Sequence, residues 1–169
     1  MNLIKVCVIT SSRAEYGLIR WLMDDLKSSD DFELKVIATG SHFSEKYGLT
    51  FQEIESNGFT IDKKIPFNLE NSDQTSVAKA TGLLTVDLID ALDILKPDIV
   101  MIMGDRYELL SVLTACILKT IPIAHISGGE ITEGAIDDQI RHALTKASHL
   151  HYVANEVYGA RVVQMGEEQ

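Results

Sequence analysis

Five consecutive apolar residues, Ile99-Val100-Met101-Ile102-Met103, run directly into Gly104-Asp105-Arg106-Tyr107-Glu108. A short, wholly apolar run predicts a strand buried on both faces, so Asp105 and Arg106 are delivered together at its mouth. A carboxylate and a guanidinium placed there each need a partner or water, and charged loops at strand ends commonly face a ligand. The plainer alternative is an internal pair capping the next helix.

A second segment, His125-Ile126-Ser127-Gly128-Gly129-Glu130, continues through Glu133 to Asp137-Asp138-Gln139-Ile140-Arg141-His142. The diglycine permits a tight turn, and four carboxylates crowd one stretch. Neighbouring carboxylates raise one another's pKa, which is how an acid and a base coexist near neutrality. Asp137 opens a helix, where a cap is the structural alternative. For Arg141, three residues after Asp138, the plain alternative is a surface pair.

Two further loops are less specific. Thr10-Ser11-Ser12-Arg13-Ala14-Glu15 opens a helix whose N-terminus could receive an anion, with Arg13 as a clamp or as a surface arginine. It matches neither a dinucleotide glycine fingerprint nor a Walker loop, which disfavours those cofactors. Thr39-Gly40-Ser41-His42 places His42 past a strand end, as a donor, an acid, a phosphate ligand or a plain helix cap. His149 and His151 lack a third ligand at a suitable spacing, so packing is preferred to metal binding.

The elements that must position these loops alternate. Apolar runs at 3–9, 34–38, 99–103, 121–126 and 150–153, with a weaker one at 61–67, predict strands. Helices are expected at 15–28, 43–57, 107–119 and 136–148. A long helix is marked by Val77, Ala80, Leu84, Leu88, Ala91, Leu92 and Leu95, capped by Ser72 or Asp73 and ended by Lys96-Pro97. This rhythm predicts an α/β fold, a doubly wound parallel Rossmann-like sheet with right-handed crossovers, as one domain over 1–169. Its ligands would bind beyond the carboxyl ends of the strands.

Composition narrows the class. The net charge of −10 argues against nucleic acid, and no apolar run is long enough to span a bilayer. The N-terminus reads as a strand rather than a signal peptide, and Cys7 and Cys116 read as buried reduced thiols, so a cytoplasmic location without a membrane is expected.

The segments TSSRAEYG, TGSHFSEKYG, LKPDIVMIMGDRYE and IAHISGGEITEGAIDDQIRHALTKASHLHYV together resemble the hydrolysing UDP-N-acetylglucosamine 2-epimerases of sialic- and legionaminic-acid biosynthesis. The similarity runs from about Ile4 to the last residue. It implies the first half of a two-domain glycosyltransferase-B architecture whose cleft holds a UDP-sugar, with the second, nucleotide-binding domain absent from this chain. It also implies a homo-oligomer, dimer or tetramer, in the full-length protein.

By matching positions the resemblance makes Asp105, Asp137 and Glu130 catalytic carboxylates, and Arg13, His42, Arg106 and Ser127 substrate-binding residues. No cofactor and no metal is implied. The expected reaction converts UDP-N-acetylglucosamine and water to N-acetylmannosamine and UDP, by elimination of UDP and hydration. Alternatives are the corresponding 2,4-diacetamido-2,4,6-trideoxy sugar of the legionaminic pathway, or a silent nucleotide-sugar-binding domain. Many relatives carry Glu where this chain has Ser127, which shifts an acid/base role to Glu130 or marks a branch with another sugar.

Overall fold

The computed structural model describes residues 3–67, 73–132 and 136–168. Six strands form one sheet, β1 (Ile4–Thr10), β2 (Phe32–Ala38), β3 (Lys63–Lys64), β4 (Ile99–Met103), β5 (Ile123–Ile126) and β6 (Leu150–Tyr152). Their spatial order is β3-β2-β1-β4-β5-β6 and each described pairing is parallel. The order reverses between β1 and β4, which makes the crevice beyond their carboxyl ends the ligand position of a doubly wound sheet.

Five α-helices connect the strands, α1 (Arg13–Ser28), α2 (Phe51–Ser56), α3 (Gln74–Leu95), α4 (Leu109–Leu118) and α5 (Asp137–Ala147), and α6 (Glu156–Gln164) follows the last strand. The period-2 alternation of strand side chains divides the core in two. Val6 and Val8 of β1 pack with Tyr16, Ile19 and Met23 of α1 on one side. Cys7 and Ile9 pack with Leu84, Leu88 and Leu92 of α3 and with Val112 and Ala115 of α4 on the other. Both cysteines are buried and free, and burial pushes the Cys116 thiol up to about 12.

Where the sequence alone predicted otherwise, local backbone explains the difference. The helix expected at 43–57 is broken into two 3-10 turns, Gly40–Phe43 and Glu45–Tyr47, followed by the short α2. Gly48 and Leu49 both take positive φ, 83° and 50°, and a helix cannot pass through them. The uncertain third strand shrinks to two edge residues, and β5 starts at Ile123 rather than at 121. Helix α6 was not foreseen, although the Asn155 side chain caps it by accepting from the Tyr158 amide at 3.1 Å. Asp73 is the cap of α3, accepting from the amides of Thr75 and Ser76; Ser72 lies outside the described residues. No described helix is long and apolar enough to cross a membrane.

Candidate active site

Loops β4–α4 and β5–α5 stand side by side at the carboxyl edge of the sheet, and one buried imidazole ties them. His125, at the end of β5, is fully buried, and burial pushes its pKa down to about 4. The ring is therefore neutral at pH 7. Its Nε2–H donates to the Gly104 carbonyl at 2.8 Å, and its Nδ1 is 3.2 Å from the Thr145 hydroxyl of α5. Gly104 takes φ +85°, a left-handed turn that sends Asp105 towards β5.

Asp105 meets Arg141 there. One guanidinium nitrogen of Arg141 donates to the Asp105 carboxylate and, at 3.3 Å, to the Thr132 hydroxyl. The other donates to the Ser127 carbonyl at 2.7 Å and to the Glu130 carboxylate at 3.4 Å. Thr132 also donates its hydroxyl to Asp105 at 3.3 Å. Arg141 is buried, so a single desolvated cation organises two carboxylates and the turn between them. Asp137 lies one helical turn before Arg141 on the same side of α5. Asp138 accepts from the Thr132 amide at 3.4 Å and lies 3.7 Å from His142.

The turn itself is tightly supported. Ser127 holds φ +65°, an uncommon conformation for a residue with a side chain. At Gly129, φ is +74° and an added Cβ would stand 2.4 Å from the Tyr158 carbonyl of α6. Arg161 of α6 donates to the Gly129 carbonyl.

Arg106 turns the opposite way. It forks onto Glu108, with bonds of 3.2 and 2.7 Å, and comes within 3.9 Å of Glu15. Glu108 is buried, while the Arg106 side chain remains about one-third exposed, at 34%. Burial raises the Glu15 pKa, against the hydrogen bonds from Ser11 and the charge of Arg106. Glu15 accepts the Ser11 amide and hydroxyl, both at 2.9 Å, so a carboxylate of the chain itself occupies the start of α1.

Of the residues singled out in the sequence, Asp105, Glu130 and Ser127 are brought together around Arg141, and Asp137 stands on the same helix. Arg106 borders the same loop on its β1 side. Arg13 is not brought to this cluster; its side chain is 71% exposed and bonds Glu53 at 2.9 Å. His42 is buried with Nε2 3.0 Å from the Thr10 hydroxyl and Nδ1 2.8 Å from that of Thr50; burial pushes its pKa down to about 4. Both ring nitrogens are thus engaged inside the fold, which makes His42 a tie for its loop. Glu133 lies outside the described residues.

The residue that sequence reasoning undervalued is Arg141. Its spacing from Asp138 suggested a surface pair, whereas its position one turn after Asp137 was the usable signal. His151 contacts Glu167 at 3.4 Å, and among the described residues no group of three metal-ligating side chains occurs.

A family model described as UDP-N-acetylglucosamine 2-epimerase matches residues 24–169. A Campylobacter jejuni protein named GDP/UDP-N,N'-diacetylbacillosamine 2-epimerase (hydrolyzing) is 48% identical over 165 residues, covering 98% of this chain and 43% of that one. A Legionella pneumophila protein named UDP-N,N'-diacetylbacillosamine 2-epimerase (hydrolyzing) is 38% identical, covering 98% of this chain and 44% of its own length. The chain therefore spans less than half the length of these curated relatives. Among solved structures, Neisseria meningitidis UDP-GlcNAc 2-epimerase bound to UDP-GlcNAc superposes with a TM-score of 0.84 at 21% identity, over 98% of this chain and 44% of that one. That likeness is one of fold.

Proposed function

Because the chain belongs to the UDP-N-acetylglucosamine 2-epimerase family, we propose that it supplies the carboxylate wall of a hydrolysing nucleotide-sugar 2-epimerase. The observation that carries this reading is the buried Arg141 holding Asp105 and Glu130, one helical turn after Asp137, at the switch point of the sheet.

The chemistry needs such a wall. A base removes the C2 proton while the C1–O bond to the nucleotide breaks, leaving a glycal and the nucleoside diphosphate. Water then adds hydroxide to C1, and an acid returns a proton to C2 from the opposite face. Two positioned carboxyl groups are needed for the two proton transfers. Asp105, Asp137 and Glu130 are the groups assigned to them. Developing negative charge on the departing diphosphate needs a fixed cation, and the part-exposed Arg106, braced by Glu108, is the residue assigned there. Arg13 and His42 take no part in this reading.

For the sugar, the names of the Campylobacter and Legionella relatives support a nucleotide-linked 2,4-diacetamido-2,4,6-trideoxyhexose. Ser127, where many relatives carry Glu, is in keeping with a branch of the family that takes another sugar. UDP-N-acetylglucosamine is the second reading, favoured by the family description.

In the full-length enzyme, the UDP-linked diacetamido sugar is expected to release UDP with a higher kcat/KM than UDP-N-acetylglucosamine, and the freed sugar is inverted at C2. The reverse ranking transfers the assignment to the second reading. Asp105→Asn is expected to lower kcat by at least roughly 100-fold with the fold intact. Near-wild-type turnover in that variant removes Asp105 from the mechanism.

A further inference from the structure

Three loops meet at a second group of charges beside the carboxylate wall. The side chain of Glu108, in the β4–α4 loop, is 1% exposed, and that of Glu15, in the first turn of α1, is 11% exposed. One guanidinium, Arg106, stands between them. It bonds Glu108 at 3.2 and 2.7 Å and keeps 3.9 Å from Glu15. Glu15 is held instead by its own loop, through the Ser11 amide and hydroxyl at 2.9 Å. The β2 side fixes Ser11 in turn, since the Ser11 carbonyl accepts from the Ser41 amide at 2.8 Å.

With both carboxyls ionised, this group carries one net negative charge, and its carboxyls lie largely out of water. Burial raises the Glu15 pKa against the Ser11 bonds and the Arg106 charge, and the Glu108 charge adds to the rise. The other ionisable groups around it do not relieve the excess. His42, on the β2 side, is neutral at pH 7, Arg13 turns away to Glu53, and Asp105 is paired with Arg141.

The hydrogen bonds distinguish the two carboxyls. Both oxygens of Glu108 accept from a guanidinium, which can only donate, so a proton there would break the fork. The Glu15 oxygens face a hydroxyl, at 3.2 and 2.9 Å, and a hydroxyl donates or accepts. A protonated Glu15 keeps the Ser11 amide on its carbonyl oxygen and donates its O–H to the Ser11 hydroxyl oxygen. The loop is satisfied in either state.

We propose that Glu15 is a positioning residue of the diphosphate site, taking up one proton from solvent as a nucleoside diphosphate engages Arg106. The inference rests on the assignment of Arg106 to the departing diphosphate. In the step a carboxylate becomes a carboxylic acid, nothing is oxidised or reduced, and the group becomes neutral as the phosphate charges arrive. Arg106 then stays on Glu108 and meets the phosphate with its exposed side, with no second buried anion opposing it.

Titration calorimetry of UDP into the full-length protein, in buffers of different ionisation heat, counts the protons taken up. The comparison is with Glu15→Gln, which keeps an acceptor for the Ser11 amide but neither the charge nor the proton. The terminal phosphate of UDP titrates alike in both, so the difference belongs to Glu15. The wild type is expected to take up more, by roughly half a proton or more at the pH of largest uptake. Between about pH 5.5 and pH 8 its Kd for UDP should rise relative to that of the variant, by up to about tenfold per pH unit. A purely structural role for Glu15 would instead weaken binding alike at every pH and leave the proton count unchanged.

Equal counts in the two proteins overturn the inference and leave the assignment of Arg106 in place. A full-length wild type that binds no UDP removes that assignment, and the inference falls with it. Should Glu15→Gln misfold, infrared difference spectra of the wild type decide. Adding UDP must then produce a protonated-carboxyl band that shifts on ¹³C-glutamate labelling, and its absence overturns the inference.

Discussion

At the scale of single residues, the buried arginine decides most. Arg141 has five donors in a planar fork, and four acceptors converge on it: the Asp105 and Glu130 carboxylates, the Ser127 carbonyl and the Thr132 hydroxyl. Lysine retains the charge but not the fork. Arg141→Lys is therefore expected to lower unfolding free energy by about 1–3 kcal/mol, because acceptors lose their donors. It should also lower kcat more than it raises KM, since Asp105 and Glu130 lose their orientation. Urea titration and steady-state kinetics of the full-length enzyme check both, and unchanged kcat would remove Arg141 from the site.

The two buried histidines act at the same scale through pH. For His42 and His125 the folded pKa, about 4, lies below the ordinary value of 6.5. The folded state resists protonation and the unfolded chain accepts it. Their contribution is thus present above pH 6.5 and lost as pH falls towards 4, by up to roughly 3 kcal/mol per histidine. Urea midpoints at pH 7 and pH 4.5 should differ accordingly, and His42→Gln should flatten the dependence. An equal midpoint at both pH values contradicts the buried neutral rings. Asp105 was legible as a candidate because a charged pair directly after five apolar residues must find partners or water at the end of a buried strand. Glu130 was legible because it leaves a diglycine turn among other carboxylates. Arg141 was not, because whether its side chain turns inward depends on the Ser127–Gly129 turn and on α6 behind it.

Among elements, the sharpest contrast lies between two glycines near α1. Gly40 takes φ +60°, and an added Cβ would stand 2.4 Å from the Ser11 carbonyl, so Gly40→Ala must move either the β1 or the β2 loop. A loss of about 2–4 kcal/mol is expected from the combined clash and strain. Gly17 sits inside α1 with nothing within 4 Å of its added Cβ, and Gly17→Ala should stabilise by about 0.5–1 kcal/mol. Thermal melts of the two variants should move in opposite directions; a shared direction would contradict the loop packing. Long periodic elements such as α3, and wholly apolar ones such as β4, were readable because burial repeats along them. The segment at 43–57 was misread because helical composition says nothing of the positive φ at Gly48 and Leu49, which the surrounding loops impose. Helix α6 was missed for lack of a buried stripe, since among its residues only Val162 is buried.

For the whole molecule, the alternation of apolar runs and helical stripes specified a doubly wound sheet because only parallel strands covered on both faces require it. What alternation could not specify is which strand ends lie side by side, and that adjacency of β1, β4 and β5 creates the carboxylate wall. The wall has a consequence for binding. The chain carries a net charge of −10. The guanidiniums of the loops at its carboxyl edge already have carboxylate partners, Arg141 with Asp105 and Glu130, Arg106 with Glu108, and Arg13 with Glu53. A nucleoside diphosphate approaching this edge meets carboxylates, and Arg106, the cation assigned to it, already shares its charge with Glu108, so the chain alone compensates the diphosphate only weakly. The 169-residue chain is therefore expected to bind UDP with a Kd of about 1 mM or weaker and to release no UDP from a nucleotide sugar. Titration calorimetry and a coupled assay of the 169-residue chain check this. Micromolar binding would mean that Arg106 leaves Glu108 to meet the phosphate, and a fluctuating rather than fixed cation would then have to be written into the mechanism.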